Sequence, residues 1–180
     1  MRNIDSIKNI RSYLLDKSHN IEAKPGTYRW WFQEEGIREI INQLPGININ
    51  MIQKRNINGK SYWALYFGIS KNLEERIKWH ICQHHTASSI TSGFLSTLRQ
   101  TLSALLKIDM TKSEEAVNKL IDENCYWEWD YTETHQDAID LEKQELSSNT
   151  YYYPLNITNN QSTPKNIINS VKKLRKQYNK

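Results

Sequence analysis

The sequence predicts a small α/β (α+β) fold: a three-stranded, mostly antiparallel sheet flanked by helices. Three observations predict it. Short aromatic or alternating segments at 27–32, 62–69 and 125–131 read as strands, and stretches of helical apolar period lie between them. Asn58-Gly59 is a strong two-residue hairpin signal, which favours antiparallel pairing. At 180 residues the chain fills one domain and is too short for two, so 1–180 is read as a single domain.

The elements follow in order. Ile4, Ile7, Ile10 and Leu14 recur at helical spacing and predict an N-terminal helix over 4–17. Pro25-Gly26 breaks the chain before the aromatic strand Thr27-Tyr28-Arg29-Trp30-Trp31-Phe32. Residues 34–44 return to helical period through Ile37, Ile40, Ile41 and Leu44 and end at Pro45-Gly46. Residues 51–57 lead into the Asn58-Gly59 turn, and 62–69 return. Alternation there puts Tyr62, Ala64 and Tyr66 on one face and Trp63, Leu65 and Phe67 on the other. Asn72 with Glu75 caps a helix running to about 85. A helix at 94–107 is expected to bury Phe94, Leu95, Leu98, Leu102, Leu105 and Leu106, and another spans 113–123. Residues 125–131 alternate Cys125, Trp127, Trp129 and Tyr131 against Tyr126, Glu128 and Asp130, the mark of a half-buried strand. A helix at 135–147, an extended segment at 151–156 and a C-terminal basic helix over 164–178, opened by Pro164, complete the chain.

Composition narrows the function classes. Hydrophobic residues at 38% and charged residues at 24% describe a globular protein at the polar end of its class. A net charge of +4 permits a polyanion partner without demanding one, and the tail residues Lys172, Lys173, Arg175, Lys176 and Lys180 carry most of the bias. Six Trp and ten Tyr suit a core and also suit stacking on bases. Cys82 and Cys125 make no disulfide framework, and no apolar run reaches the ~20 residues of a membrane span. A soluble, cytoplasmic protein with no membrane partner is expected.

Two helices carry chemistry. On the helix from 72, Arg76, His80 and His84 fall at i, i+4 and i+8, beside the apolar stripe Leu73, Ile77, Ile81. A guanidinium is a planar, always charged fork suited to phosphate, and an imidazole relays protons near neutrality; a plain surface stripe has the same spacing. On the helix from 135, Ala138, Leu141 and Leu146 define the apolar face, and Glu142 stands on it. A carboxylate there must neutralise, pair with an arginine or bind a metal. Tyr28 and Tyr66 sit near glycines on two strands whose hydroxyls can converge in an antiparallel sheet, although most strand tyrosines are packing residues.

Taken in order, Gly26-Thr27-Tyr28, then Tyr66-Phe67-Gly68 with the helix carrying Arg76 and His80, then Ala138-Ile139-Asp140-Leu141-Glu142, then Pro154-Leu155-Asn156, resembles the GIY-YIG nuclease superfamily over about 26–156. Arg76-x-x-x-His80 is similar to the branch that holds some type II restriction enzymes. Thr27 and Phe67 replace the usual isoleucines, and 34–60 lengthens the gap between the two tyrosine motifs. The segment from Glu142 to Asn156 is about two residues long for the pattern, which leaves Glu145 as the alternative to Glu142.

The resemblance implies a metal-dependent endonuclease that hydrolyses DNA phosphodiester bonds, with Mg²⁺ or Mn²⁺ on Glu142 and charge stabilisation from Arg76. Tyr28, Tyr66 and His80 all stay open as the general base, and Asn156 is expected to hold the site together. Lys54, Arg55, Lys60, Lys78, His84, His85, Arg99, Lys172 and Lys173 are candidates, by charge and position, to hold double-stranded DNA. A homodimer suits cutting of both strands. Competing expectations are a repair or structure-specific nuclease of the same fold, a non-catalytic nucleic-acid-binding domain, and a zinc site from His80, Cys82, His84, His85 and Cys125. On a helix Cys82 points away from His80 and His84, which weighs against zinc.

Overall fold

The computed structural model describes residues 3–16, 18, 20–44, 46–148 and 150–179. Lys17 and Pro45, expected at the ends of two helices, and Lys180 of the basic tail lie outside the described residues. The sheet has five strands rather than three, in the order β1-β5-β2-β4-β3, and every pairing is antiparallel. The central strand β2 (Gly26–Gln33) lies between β4 (Lys60–Ser70) and β5 (Cys125–Tyr131), while β3 (Lys54–Ile57) and β1 (Asn3–Ser6) form the edges. The helices are α1 (Ile7–Asp16), α2 (Glu34–Gln43), α3 (Leu73–Ile81), α4 (Ala87–Thr91), α5 (Thr97–Leu105), α6 (Glu114–Asn124), α7 (His135–Leu146) and α8 (Lys165–Gln177).

Strand β1 comes from residues expected to be helical. Ile4 and Ile7 fit a helical stripe, but β5 has an unpaired edge, and Asn3–Ser6 satisfies its backbone from Tyr126 to Trp129. The helix then starts only at Ile7, buried with Ile10. The hairpin forms as expected, with Asn58 and Gly59 at φ 50° and 80°, the double positive φ of a type I′ turn. The extended segment 151–156 joins no strand; its backbone instead clips onto Met51 and Leu65 through Tyr152 and Leu155.

Each face of the sheet is covered. Tyr28, Trp30, Phe32, Trp63, Leu65, Cys125, Trp127 and Trp129 meet side chains of α1, α2, α3, α5, α6 and α8 in the main core. Trp31, Tyr62, Ala64 and Phe67 on the reverse face pack with Leu146 of α7 and Tyr153. Strand β5 keeps one buried face as expected, with Asp130 exposed and Tyr126 half-buried on the reverse; the departure is Glu128, which is buried there. Asn72 caps α3 as expected, its side chain accepting from the Glu75 amide. That helix ends at Ile81, so His84 lies beyond it and the expected three-residue stripe stops at His80.

Candidate active site

The two motif tyrosines meet because β4 does not alternate strictly. Trp30 pairs with Tyr66 and Trp31 with Ala64, which leaves Leu65 as an extra residue in a β-bulge. Past the bulge the side chains change sides. Tyr66 joins Trp63 and Leu65 against the main core, and Phe67 joins Tyr62 and Ala64 on the reverse face. This overturns the face assignment expected from the sequence and stacks Tyr66 beside Tyr28, ring centroids 6.3 Å apart.

Gly68 is the register partner of Tyr28, and an alanine Cβ there would lie 2.5 Å from the Tyr28 hydroxyl. Only a bare Cα lets the phenol cross the strand. Gly26 is constrained in the same way, since a Cβ would meet the Asp130 carbonyl oxygen at 2.2 Å and Leu73 Cδ1 at 2.6 Å. Asn156 acts as an artificial strand neighbour. Its Oδ1 accepts from the Phe67 amide at 2.9 Å and its Nδ2 donates to the Phe67 carbonyl at 2.7 Å, clamping β4 between Tyr66 and Gly68.

Helix α3 brings His80 and Arg76 to this place while Leu73, Ile77 and Ile81 anchor it in the core. The Tyr28 hydroxyl and His80 Nε2 lie 2.9 Å apart, and both side chains are buried. Trp30, Tyr66 and Trp79 enclose the imidazole, whose Nδ1 is buried without a hydrogen-bond partner among the described residues. Burial first, then the charges of Arg76 and Arg99, hold the His80 pKa well below the usual imidazole value, so the ring is neutral at pH 7. Burial also raises the Tyr28 pKa well above the phenolic value, with Tyr66 and Glu142 adding and Arg76 opposing. Tyr66 is shifted upward less strongly by its own burial, and it is the half-buried phenol of the pair. The Arg76 guanidinium stacks 4.7 Å from the Trp79 ring and opens on a 310 Å³ cleft with Ser70 and Glu75.

Glu142 reaches the cluster from α7. It lines a 590 Å³ cleft with Ile139, Lys143, Leu146, Ser147, Asn159 and Gln161. Burial raises its pKa and Arg76 pulls it back, while its own charge raises those of Tyr28 and Tyr66. Among the described residues its carboxylate makes no hydrogen bond or ion pair. A half-buried carboxylate with no hydrogen bond or ion pair among the described residues, and the Arg76 charge nearby, fits a hard divalent cation, with water and phosphate oxygens completing the shell. Glu145, the alternative, is engaged elsewhere: Arg29 Nη2 lies 3.1 Å from it and the Tyr153 hydroxyl donates to it. Arg29 also meets Glu128 at 3.2 Å, and Arg55 pairs with the same Glu128. Sequence reasoning misses this buried network; the cross-strand signal is an arginine and a glutamate at opposite positions of two strands.

The remaining candidates divide. Arg99 and His85 are not available to DNA. Both are buried, and Arg99 donates to His85 Nε2 at 2.7 Å, to the His80 carbonyl at 3.0 Å and to Asn118 Oδ1 at 2.7 Å. Charge alone points them to the surface; their role is to brace the end of α3. Lys78 pairs with Glu74 on its own helix, and exposed His84 meets Glu114 at 2.9 Å. Lys54 stacks on Trp63, Lys60 reaches Gln33, and Lys172 and Lys173 are exposed. One residue joins the cluster unannounced. Arg175 of α8 donates to Gln100, leaves its Nε buried without a partner, and bears on Tyr66 with its charge. No group of three or more His, Cys, Asp or Glu side chains that could hold a metal occurs among the described residues, so the zinc alternative is not assembled.

A sequence model described as the GIY-YIG catalytic domain matches residues 26–177, which takes in α8 as well as the motifs. No curated protein and no solved structure matches the chain. None of the described helices is long and apolar enough to cross a membrane. With Gly68 shaped around Tyr28 and a family match over most of its length, the chain belongs to the GIY-YIG catalytic-domain family of nucleases.

Proposed function

We propose that the protein is an endonuclease that hydrolyses DNA phosphodiester bonds, with Mg²⁺ or Mn²⁺ held by Glu142. One observation carries this. Tyr28, Tyr66 and the Arg76–His80 helix come from three separate elements yet gather in one place. The Tyr28 hydroxyl lies 2.9 Å from His80 Nε2, the two phenols stack 6.3 Å apart, and Arg76 lies on the Trp79 ring that covers His80, with Glu142 of a fourth element bearing on both phenols. When bound, a divalent cation supplies Lewis acidity at the scissile phosphate. Arg76, held flat on Trp79, presents its fork of donors to the same phosphate and neutralises charge that grows in the transition state.

Tyr28 and His80 form the proton-handling pair. Tyr28 passes its proton to His80 Nε2 as it takes one from the attacking water, and half-buried Tyr66 orients that water. The neutral imidazole has room for this proton, and an anionic phosphate on Arg76 removes part of the charge that depresses its basicity. Asn156 and Gly68 are positioning residues that keep the two phenols in register.

Arg76-x-x-x-His80 inclines the proposal toward a type II restriction-type enzyme acting on double-stranded DNA, as a homodimer that nicks both strands. Supercoiled plasmid incubated with the purified protein is expected to be cut in Mg²⁺ and spared in EDTA. Glu142→Ala is expected to bind DNA and not cut it. Mapped ends at one palindrome support restriction-type action, and scattered or structure-directed ends reject it. Binding without cleavage by the wild type would reject the enzyme in favour of a nucleic-acid-binding domain.

A further inference from the structure

The apolar run at 94–107 places Phe94 inside a helix and buried; instead it is 62% exposed, in the loop before α5. The loop holding it is fixed. Its carbonyl accepts from Trp79 Nε1 at 3.1 Å and from Gln83 Nε2 at 2.6 Å, while Gln83 Oε1 accepts from the Ser96 amide at 2.6 Å. A large aromatic side chain is thus held outward by a clamped backbone. Phe94 and Trp79 meet edge to face, centroids 6.4 Å apart, on the wall of a 460 Å³ cleft. Lys78, Cys82, Gln83, His84 and the polar α4 segment line the rest, with Lys78 paired to Glu74 and His84 to Glu114. Trp79 is a shared partition, since it also lines the cleft of Arg76.

We infer that this cleft is a nucleobase subsite, which takes a base swung out of the strand whose phosphate rests on Arg76. Resting on the nuclease reading, the inference adds to it where the neighbouring nucleotide goes. Its size is that of a small-ligand site. Aromatic faces stack on any base, and this pair of rings stands beside the arginine that holds the strand's phosphate. An apolar peptide would use the two rings alone, whereas Trp79, shared with the cleft of Arg76, joins this wall to the place of the strand's phosphate. The cost of unstacking a base is smallest where the strand is already single, frayed or mismatched, so such substrates gain most from the cleft.

The test uses the full chain carrying Glu142→Gln, in EDTA, with two fluorescent probes of equal length and charge: single-stranded oligothymidylate, and the corresponding abasic strand. The protein should bind oligothymidylate more tightly, and Phe94→Ala should weaken that binding about 5- to 150-fold while leaving the abasic strand unchanged. Phe94→Tyr should restore it. Equal affinity for both strands, or an equal loss on both in Phe94→Ala, overturns the subsite and leaves the nuclease reading standing. Failure to bind either strand also overturns the subsite, while plasmid cleavage in Mg²⁺ decides the nuclease reading separately. Because Phe94 is exposed, the variant keeps its fold, which circular dichroism verifies.

Discussion

Replacing Gly68 with alanine puts one methyl group where Tyr28 lies. The added Cβ would stand 2.5 Å from both Cζ and the hydroxyl oxygen of Tyr28, and 2.9 Å from Cε2. Ordinary carbon contacts begin near about 3.5 Å, so the ring must retreat by about 1 Å. The hydroxyl that moves is the one 2.9 Å from His80 Nε2, and a shift of that size takes it out of hydrogen-bond geometry. Overpacking of this kind costs about 1–3 kcal/mol, which for a chain of this length lowers Tm by about 2–12 °C. A misplacement of ~1 Å at a reacting group costs about 10²-fold in rate. Thermal unfolding and single-turnover cleavage of a labelled duplex measure the two effects. A cycle with Tyr28→Ala isolates the cause, because removing the ring removes the clash, and Gly68→Ala made in that background should cost little stability. Unchanged Tm and rate in Gly68→Ala, or an equal stability cost with and without the Tyr28 ring, would refute the steric account.

Other expectations follow from the same geometry. Glu142 has a raised pKa, so its ionised form opposes folding: stability falls as pH rises from the ordinary carboxylate range through the raised value. Glu142→Gln should therefore resist urea better than wild type at neutral pH and lose that advantage in the ordinary carboxylate range, and added Mg²⁺ should stabilise only the wild type; equal midpoints at neutral pH would contradict this. Arg175→Ala should slow cleavage by up to about 10²-fold with little change in duplex binding, and Arg175→Lys should recover most of the rate; a loss confined to binding would make Arg175 a simple phosphate contact. His85, held neutral by burial with a pKa of about 4 against 6.5 when free, favours the fold fully above that range and loses that contribution as pH falls through it. His85→Gln should flatten that part of the acid unfolding curve, and an unaltered slope would show that His85 does not titrate there.

Much of the site is legible in the sequence because its parts are local. A capped helix fixes the spacing of Arg76 and His80, and glycines beside tyrosines mark a close approach whatever the surrounding fold. Glu142 is visible as a carboxylate four residues from each of buried Ala138 and Leu146, although Leu141, read as part of the same apolar face, is exposed. What escapes depends on pairing partners distant in sequence. The bulge at Leu65 arises only in register with Trp30 and Trp31, and without it alternation sends Tyr66 to the wrong face. Asn3–Ser6 is a strand only because β5 offers an edge. Arg99 and His85 read as surface cations until their partners, Asn118 and the Met110–Ser113 turn, close around them. Phe94 fits the apolar run of a helix, and the Gln83 clamp that holds its loop lies on the far side of α4.

The central claim is that one carboxylate, one guanidinium and the Tyr28–His80 pair act together on a phosphodiester. Single-turnover cleavage of an end-labelled duplex in Mg²⁺, with binding measured alongside in Ca²⁺, tests it most directly. Glu142→Gln and Arg76→Ala should each lose at least about 10²-fold in cleavage while binding the duplex within a few-fold of wild type. Wild-type cleavage rates in either variant would contradict the account.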